Sequence, residues 1–193
     1  LVPTWQSGLI IFNIDGSIQN RIAFPGEIML SSPAVADLDP SYPGLEFVIG
    51  SNDGRVYAYH YDGSSFGNWP YNFGRFIHSS PAIADLGGDG DLEVIISSYS
   101  SIRVLTNDGV SDSNFGSPMY NSMAASKPVV ADLNNDGRQE IIVGMNSASP
   151  GYISLGGATH LSVLDLNGDF LDLTPLETVG DTMGPPAVAD LDG

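Results

Sequence analysis

"DLNNDGRQEIIVG", residues 132–144, sets Asp132, Asn134 and Asp136 at alternate positions, follows them with Gly137 and Glu140, and runs directly into an apolar segment. Alternate polar side chains bring their oxygens toward one centre where a glycine lets the chain turn, and the apolar run beyond reads as a β-strand. The stretch recurs. "SSPAVADLDPSYPGLEFVIGS" begins at Ser31, "SSPAIADLGGDGDLEVIISS" at Ser79, "SKPVVADLNNDGRQEIIVGM" at Ser126, and a shortened "GPPAVADLDG" at Gly184. Their prolines, Pro33, Pro81, Pro128 and Pro186, are 48, 47 and 58 residues apart, a period found in propeller blades and similar arrays. A second element, "RVYAYHYDG" at Arg55, "IRVLTNDG" at Ile102 and "LSVLDLNG" at Leu161, follows each full start. "LIIFNIDG" at Leu9 is a further copy with no first half before it.

Each unit reads as short strands and nothing else. "PAVADL", "LEFVIG", "VYAYHY" and the weaker "NWPYNF" are rich in Val, Ile, Ala and aromatics and are bounded by Gly, Pro, Asn and Asp. No window carries a helical period. The pairs Asp15-Gly16, Asp62-Gly63, Asp108-Gly109 and Asn167-Gly168 mark tight hairpins that need positive φ. The fold class is therefore all-β: a β-propeller, or a fragment of one, built of four-stranded antiparallel blades. One repeat domain spans 1–193. Residues 1–30 form the outer half of a blade, 31–78, 79–125 and 126–183 are blades, the last with an insertion at 146–160, and 184–193 starts a truncated one. Ala34, Ala36, Ala82, Ala84, Ala131, Ala187 and Ala189 give the first strand small side chains, as crowding near a common axis requires.

The charge is strongly one-sided. With 23 acidic against 6 basic residues the net charge is −17, which repels nucleic acid and anionic lipid, so neither is an expected partner. No apolar run approaches the roughly 18 residues of a spanning helix, so membrane insertion is not expected. Cysteine is absent, which removes disulfides, thiolate metal sites and thiol nucleophiles. The start at Leu1 reads as a processed chain or a piece of a longer one.

In "DLNNDGRQE", Asp132, Asn134 and Asp136 occupy loop positions 1, 3 and 5, Gly137 permits the turn, and Glu140 stands at position 9. Calcium takes about six to eight hard oxygen ligands, and a carbonyl, expected from Arg138, would join these side chains. An EF-hand is excluded because its position 12 is Val143, in a strand. Local capping by Asp and Asn accounts for one or two polar residues per turn. It leaves unexplained a Glu at the head of an apolar strand, where a lone carboxylate loses its hydration without a partner.

These repeats resemble the FG-GAP and VCBS family of calcium-binding β-propeller repeats, as in integrin α-chain propellers. The resemblance rests on "PVVADLNNDGRQEIIVG" and "PAIADLGGDGDLEVIIS". It implies a calcium ion between the first and second strands of each competent blade, an extracellular or cell-surface location, and a non-enzymatic role in adhesion or recognition. The third copy has every ligand position. The second keeps Asp85, Asp89 and Glu93, with Asp91 offering its carbonyl, but has Gly87 at position 3, where water replaces a ligand. The first keeps Asp37, Asp39 and Glu46, yet it is one residue longer and carries Pro40 and Pro43, so it reads first as a rigid proline turn. The fourth stops after Asp190 and Asp192.

In a four-strand meander the calcium loops lie on one face, and a surface for a protein or glycan ligand lies on the other. That face would carry Trp69, Tyr71, Phe76, His78, Met119, Tyr120, Met123 and Tyr152. Trp69 is better explained by packing between blades; His78 and Tyr152 are the better surface candidates. No enzyme is expected. His60, His78 and His160 have no metal-ligand spacing, and neither a GxSxG elbow nor a phosphate loop before a helix occurs. The expected function is thus a calcium-stabilised extracellular module for adhesion or recognition. The alternatives are a protomer that self-assembles by sharing blades, and the propeller part of a polysaccharide-active enzyme.

Overall fold

A computed structural model describes residues 2–4, 8–23, 31–98, 101–116, 126–146, 159–171, 177–178 and 186–189. Fourteen strands and no helix occur among them, so no helix there is long and apolar enough to cross a membrane. The first sheet holds β1 (Val2–Thr4), β2 (Gly8–Phe12) and β3 (Ile18–Ala23). The second holds β4 (Ala34–Ala36), β5 (Glu46–Gly50), β6 (Arg55–His60) and β7 (Tyr71–Asn72). The third holds β8 (Ala82–Ala84), β9 (Glu93–Ser98) and β10 (Ser101–Leu105), and the fourth β11 (Val129–Ala131), β12 (Glu140–Asn146), β13 (Thr159–Leu164) and β14 (Glu177–Thr178). Every sheet is an antiparallel meander in chain order. The all-β reading holds. The strand β1, paired along the inner edge of β2, adds a partner that the repeat register did not contain.

The register repeats with the sequence. Ala36 faces Glu46, Ala84 faces Glu93 and Ala131 faces Glu140. The recurrent alanine and the recurrent glutamate therefore close equivalent hairpins, and each candidate metal loop is the connection between a sheet's first two strands. At the same end of the strands, Asn13, His60, Thr106 and Asp165 each donate their N–H to the carbonyl four residues on, at 2.8–3.0 Å, and accept one from the glycine between. These are three-residue hairpin loops. Their glycines, Gly16, Gly63, Gly109 and Gly168, sit at φ of 80° to 89°, a conformation that an L side chain adopts only under strain.

Apolar runs such as "EFVIG" are buried throughout because both faces of the sheet are covered. Successive residues alternate between two cores. Phe47 and Ile49 join Tyr57 against Leu9, Ile11 and Ile22 of the first sheet. Val48, Val56 and Ala58 face Val94, Ile96 and Leu105 of the third, while Ile95, Ile102 and Val104 face Ile141, Val143 and Leu164 of the fourth. Each fully buried aliphatic side chain contributes roughly 1.5–3 kcal/mol, so successive sheets hold one another face to face. The first strands lie side by side, β8 touching both β4 and β11. Of the alanines expected at a crowded edge, Ala34, Ala36, Ala82, Ala84 and Ala131 are in those strands, whereas Ala187 and Ala189 are exposed and belong to no strand.

Candidate metal centre

In the third repeat, Asp132 turns back on its own loop. Its Oδ1 accepts the N–H of Asp136 at 3.2 Å and its Oδ2 that of Gly137 at 2.9 Å. Asn134 Oδ1 accepts the Asp136 N–H at 2.9 Å, and Asp136 Oδ1 accepts the Arg138 N–H at 2.9 Å. Asn135, the one non-glycine at positive φ among the described residues, takes the strain of the turn. Glu140 reaches in from β12, where its Oε2 accepts the Leu133 N–H at 2.8 Å. The remaining oxygens converge: Asn134 Nδ2 lies 3.0 Å from Asp136 Oδ2 and 3.3 Å from Glu140 Oε1. An amide N–H group, the most positive part of that side chain, thus stands between two carboxylates.

The second repeat folds alike. Asp85 Oδ1 accepts the N–H groups of Gly88 and Asp89 at 2.7 and 3.1 Å, its Oδ2 accepts that of Gly90 at 2.8 Å, and Glu93 Oε2 accepts that of Leu86 at 2.9 Å. Asp89 Oδ1 accepts the Asp91 N–H at 3.1 Å. With Gly87 in place of an asparagine, nothing like Asn134 stands between the carboxylates. The Glu93 carboxyl is pushed up, first by burial and then by the charges of Asp89, Asp85 and Asp112, although its bond to Leu86 opposes this. The two loops are neighbours, since the Gln139 N–H donates to the Leu86 carbonyl at 3.1 Å.

In the first repeat Glu46 Oε2 accepts the N–H groups of Leu38 and Asp39 at 2.8 and 3.1 Å. Its other oxygen meets His60 Nδ1 at 2.9 Å, and His60 Nε2 is 3.7 Å from Asp39 Oδ2. Asp37 lies exposed at the end of β4. Asp190 and Asp192 fall outside the described residues.

The recurrent glutamate is therefore not unpartnered. In all three repeats it ties the two strands together by accepting the N–H of the leucine that follows the first strand. Only its second oxygen leaves room for an ion, which narrows the desolvation argument to the second and third loops. Oxygen-only donors suit a hard cation such as calcium. Among the described residues no three Asp, Glu, His or Cys side chains stand close enough to hold a metal. A cation in the third loop would face Asp136 Oδ2 and Glu140 Oε1 and take main-chain carbonyls, with Arg138 the expected source; Asn134 would add its amide oxygen only by turning its amide over, since that oxygen accepts the Asp136 N–H. The donors, all oxygens, fit calcium by type.

Residues 85–143, which span both of these loops, match the family model described as FG-GAP-like repeat. The chain carries an FG-GAP-like repeat. The FG-GAP-like register extends beyond the matched segment, because the first repeat has the same alanine-to-glutamate pairing. Among solved structures, the V. cholerae biofilm matrix protein Bap1 is similar at 18% identity and a TM-score of 0.48, covering 76% of this chain and 31% of that one. BBS1N, in a complex with ARL6DN soaked with lead, is similar at 13% identity and a TM-score of 0.47, covering 91% of this chain and 58% of that one. The chain thus spans less than two thirds of either structure's length. No protein of curated function matches it.

Of the expected recognition residues, Trp69 is 7% exposed, donates its indole N–H to the Asn107 carbonyl at 3.2 Å and packs between the second and third sheets. The packing explanation holds for it. Phe76 is exposed, His78 is exposed and Tyr71 half-buried. Phe76, Arg75 and Asp53 line a shallow hollow of about 330 Å³ with Gly54 and Gly74. Met119, Tyr120, Met123 and Tyr152 fall outside the described residues. The residue that sequence reasoning did not place at these loops is His60, which meets Glu46. The signal was available: aligning the third strands sets His60 against Thr106 and Asp165, directly across from the recurrent glutamate.

Proposed function

We propose that the chain is a calcium-stabilised extracellular β-propeller, or an arc of one, that acts in adhesion or recognition of a protein or glycan rather than in catalysis. One observation carries the reading: the loops of the second and third repeats clasp the amides of their fifth and sixth positions in the same way and lie against one another within an FG-GAP-like segment. Three successive sheet interfaces, with β4, β8 and β11 side by side, support blades at 31–78, 79–125 and 126–183 arranged about an axis. Calcium would pin the hairpin between a blade's two innermost strands and add its binding energy to folding. Affinities of about 10⁻⁴ to 10⁻³ M, common in extracellular modules, are matched by the calcium found outside cells. The net charge of −17 suits a surface exposed to such cations. The hollow beside Phe76 lies at the opposite end of the strands from the metal loops, so ligand and ion would not compete.

The test is thermal unfolding with calcium and with chelator. A higher midpoint in calcium that magnesium does not reproduce supports the reading; superimposable curves contradict it. Recognition is tested by binding to arrayed glycans and matrix proteins in calcium, where signal above a denatured control is expected and none across both panels counts against an adhesive role.

A further inference from the structure

We infer that the first repeat has replaced its calcium ion with a side chain: the imidazole of His60 occupies the place between Asp39 and Glu46, so this blade is locked without metal while its neighbours await one. The inference rests on the calcium reading above for the second and third repeats, but its core, the histidine as partner of Glu46, stands on geometry alone. Glu46 is fully buried and His60 is 4% exposed. Their side chains meet at 2.9 Å across a paired register position of β5 and β6. An ionised carboxylate only accepts, so Nδ1 is the donor. Nε2 is turned toward Asp39, the counterpart of Asn134 in the third loop.

The ring is held there from both sides. Tyr42 stacks on it at a centroid distance of 3.7 Å and 19° between planes, and Phe66 packs against it at 4.8 Å. Tyr42 is itself tethered, since its hydroxyl donates to Asp62 Oδ2 at 2.8 Å on the hairpin that follows His60. Here the extra residue and the prolines of the first loop find an explanation. The loop between Pro40 and Pro43 is shaped to lay Tyr42 over an imidazole, not to wrap oxygens round an ion. The corresponding third-strand positions show the contrast. Thr106 spends its hydroxyl on Asp108 and the Val110 carbonyl, and Asp165 turns its carboxylate to Asn167 and Asp169 of its own hairpin. Neither can stand in for a cation.

Two readouts on the full chain test this. Native mass spectrometry and calorimetry count calcium bound by the wild type and by Asp39→Asn, Glu93→Gln and Glu140→Gln. The count should be unchanged in Asp39→Asn and lower by one in each of the others; loss of an ion in Asp39→Asn overturns the inference. Imidazole nitrogen NMR then places the His60 proton. A protonated Nδ1 whose signal stays fixed as calcium is added, while the Gly90 and Gly137 amides move, is expected. A His60 signal that shifts in step with those amides overturns it. If no calcium binds anywhere, the calcium reading fails, and an Nδ1 lacking its proton would still overturn the His60 assignment by itself. His60→Gln should lower the melting midpoint equally in calcium and in chelator.

Discussion

Replacing Glu140 by Gln separates the two jobs assigned to that side chain. Gln keeps an oxygen for the Leu133 N–H but sets an NH₂ where Oε1 met Asn134 Nδ2, so two donors face each other. That loss should cost about 1–2 kcal/mol in the absence of metal. With about 10 mM calcium and a dissociation constant of about 0.1–1 mM, one ion stabilises the folded chain by about 1.4–2.7 kcal/mol, and the variant forfeits this as well. In a chain of this size each kcal/mol moves the midpoint by about 2–4 °C. The deficit of Glu140→Gln should therefore be about 2–8 °C in chelator and larger in calcium by a further 3–11 °C or so. Circular dichroism melts of both proteins in both buffers supply the four midpoints. An equal deficit with and without calcium would refute the reasoning, since the glutamate would then be only a strand tie.

Other outcomes follow from the packing and the charges. Ile95, fully buried between the third and fourth sheets, should cost about 2–5 kcal/mol when cut to Ala, read as a lower urea midpoint at unchanged slope. Gly109→Ala puts a side chain at φ of 87° with its Cβ 2.8 Å from the Trp69 ring; a loss of at least about 1–3 kcal/mol and a change in tryptophan fluorescence are expected. Because the Glu93 carboxyl is raised in the folded state, mainly by burial, its ionisation opposes folding. In chelator, stability should fall as pH rises above the ordinary glutamate value of about 4.5, and Glu93→Gln should flatten that fall. Asp62, held down to about 2 chiefly by its bonds from Ser64, acts oppositely: its contribution is present above the ordinary aspartate value and is lost as pH falls toward about 2, so Asp62→Asn should flatten the acid limb of urea midpoints.

Local patterns were legible wherever chemistry is local. The apolar run in "EFVIG", glycine at the hairpin tips and alanine in the first strands all predict what β5, Gly63 and β8 do, because each depends on a few adjacent residues. The oxygen spacing of 132–140 likewise predicts a loop folded on itself. What could not be read one repeat at a time was the company each glutamate keeps. Glu46 meets His60 across the sheet, 14 residues on, and all three glutamates reach a leucine amide whose position depends on the strand pairing. Such contacts follow from register, which the polar pattern alone does not set. Trp69, by contrast, was legible: read as packing between blades, it lies in the core where the third sheet meets the second.

Crystals grown in calcium and measured for anomalous scattering address the central claim most directly. The account predicts peaks inside loops 85–93 and 132–140, the latter within ligand distance of Asp136 and Glu140, and none between Asp39 and Glu46. Loops free of anomalous signal at millimolar calcium, with Asn134 Nδ2 still lodged between the two carboxylates, would contradict it.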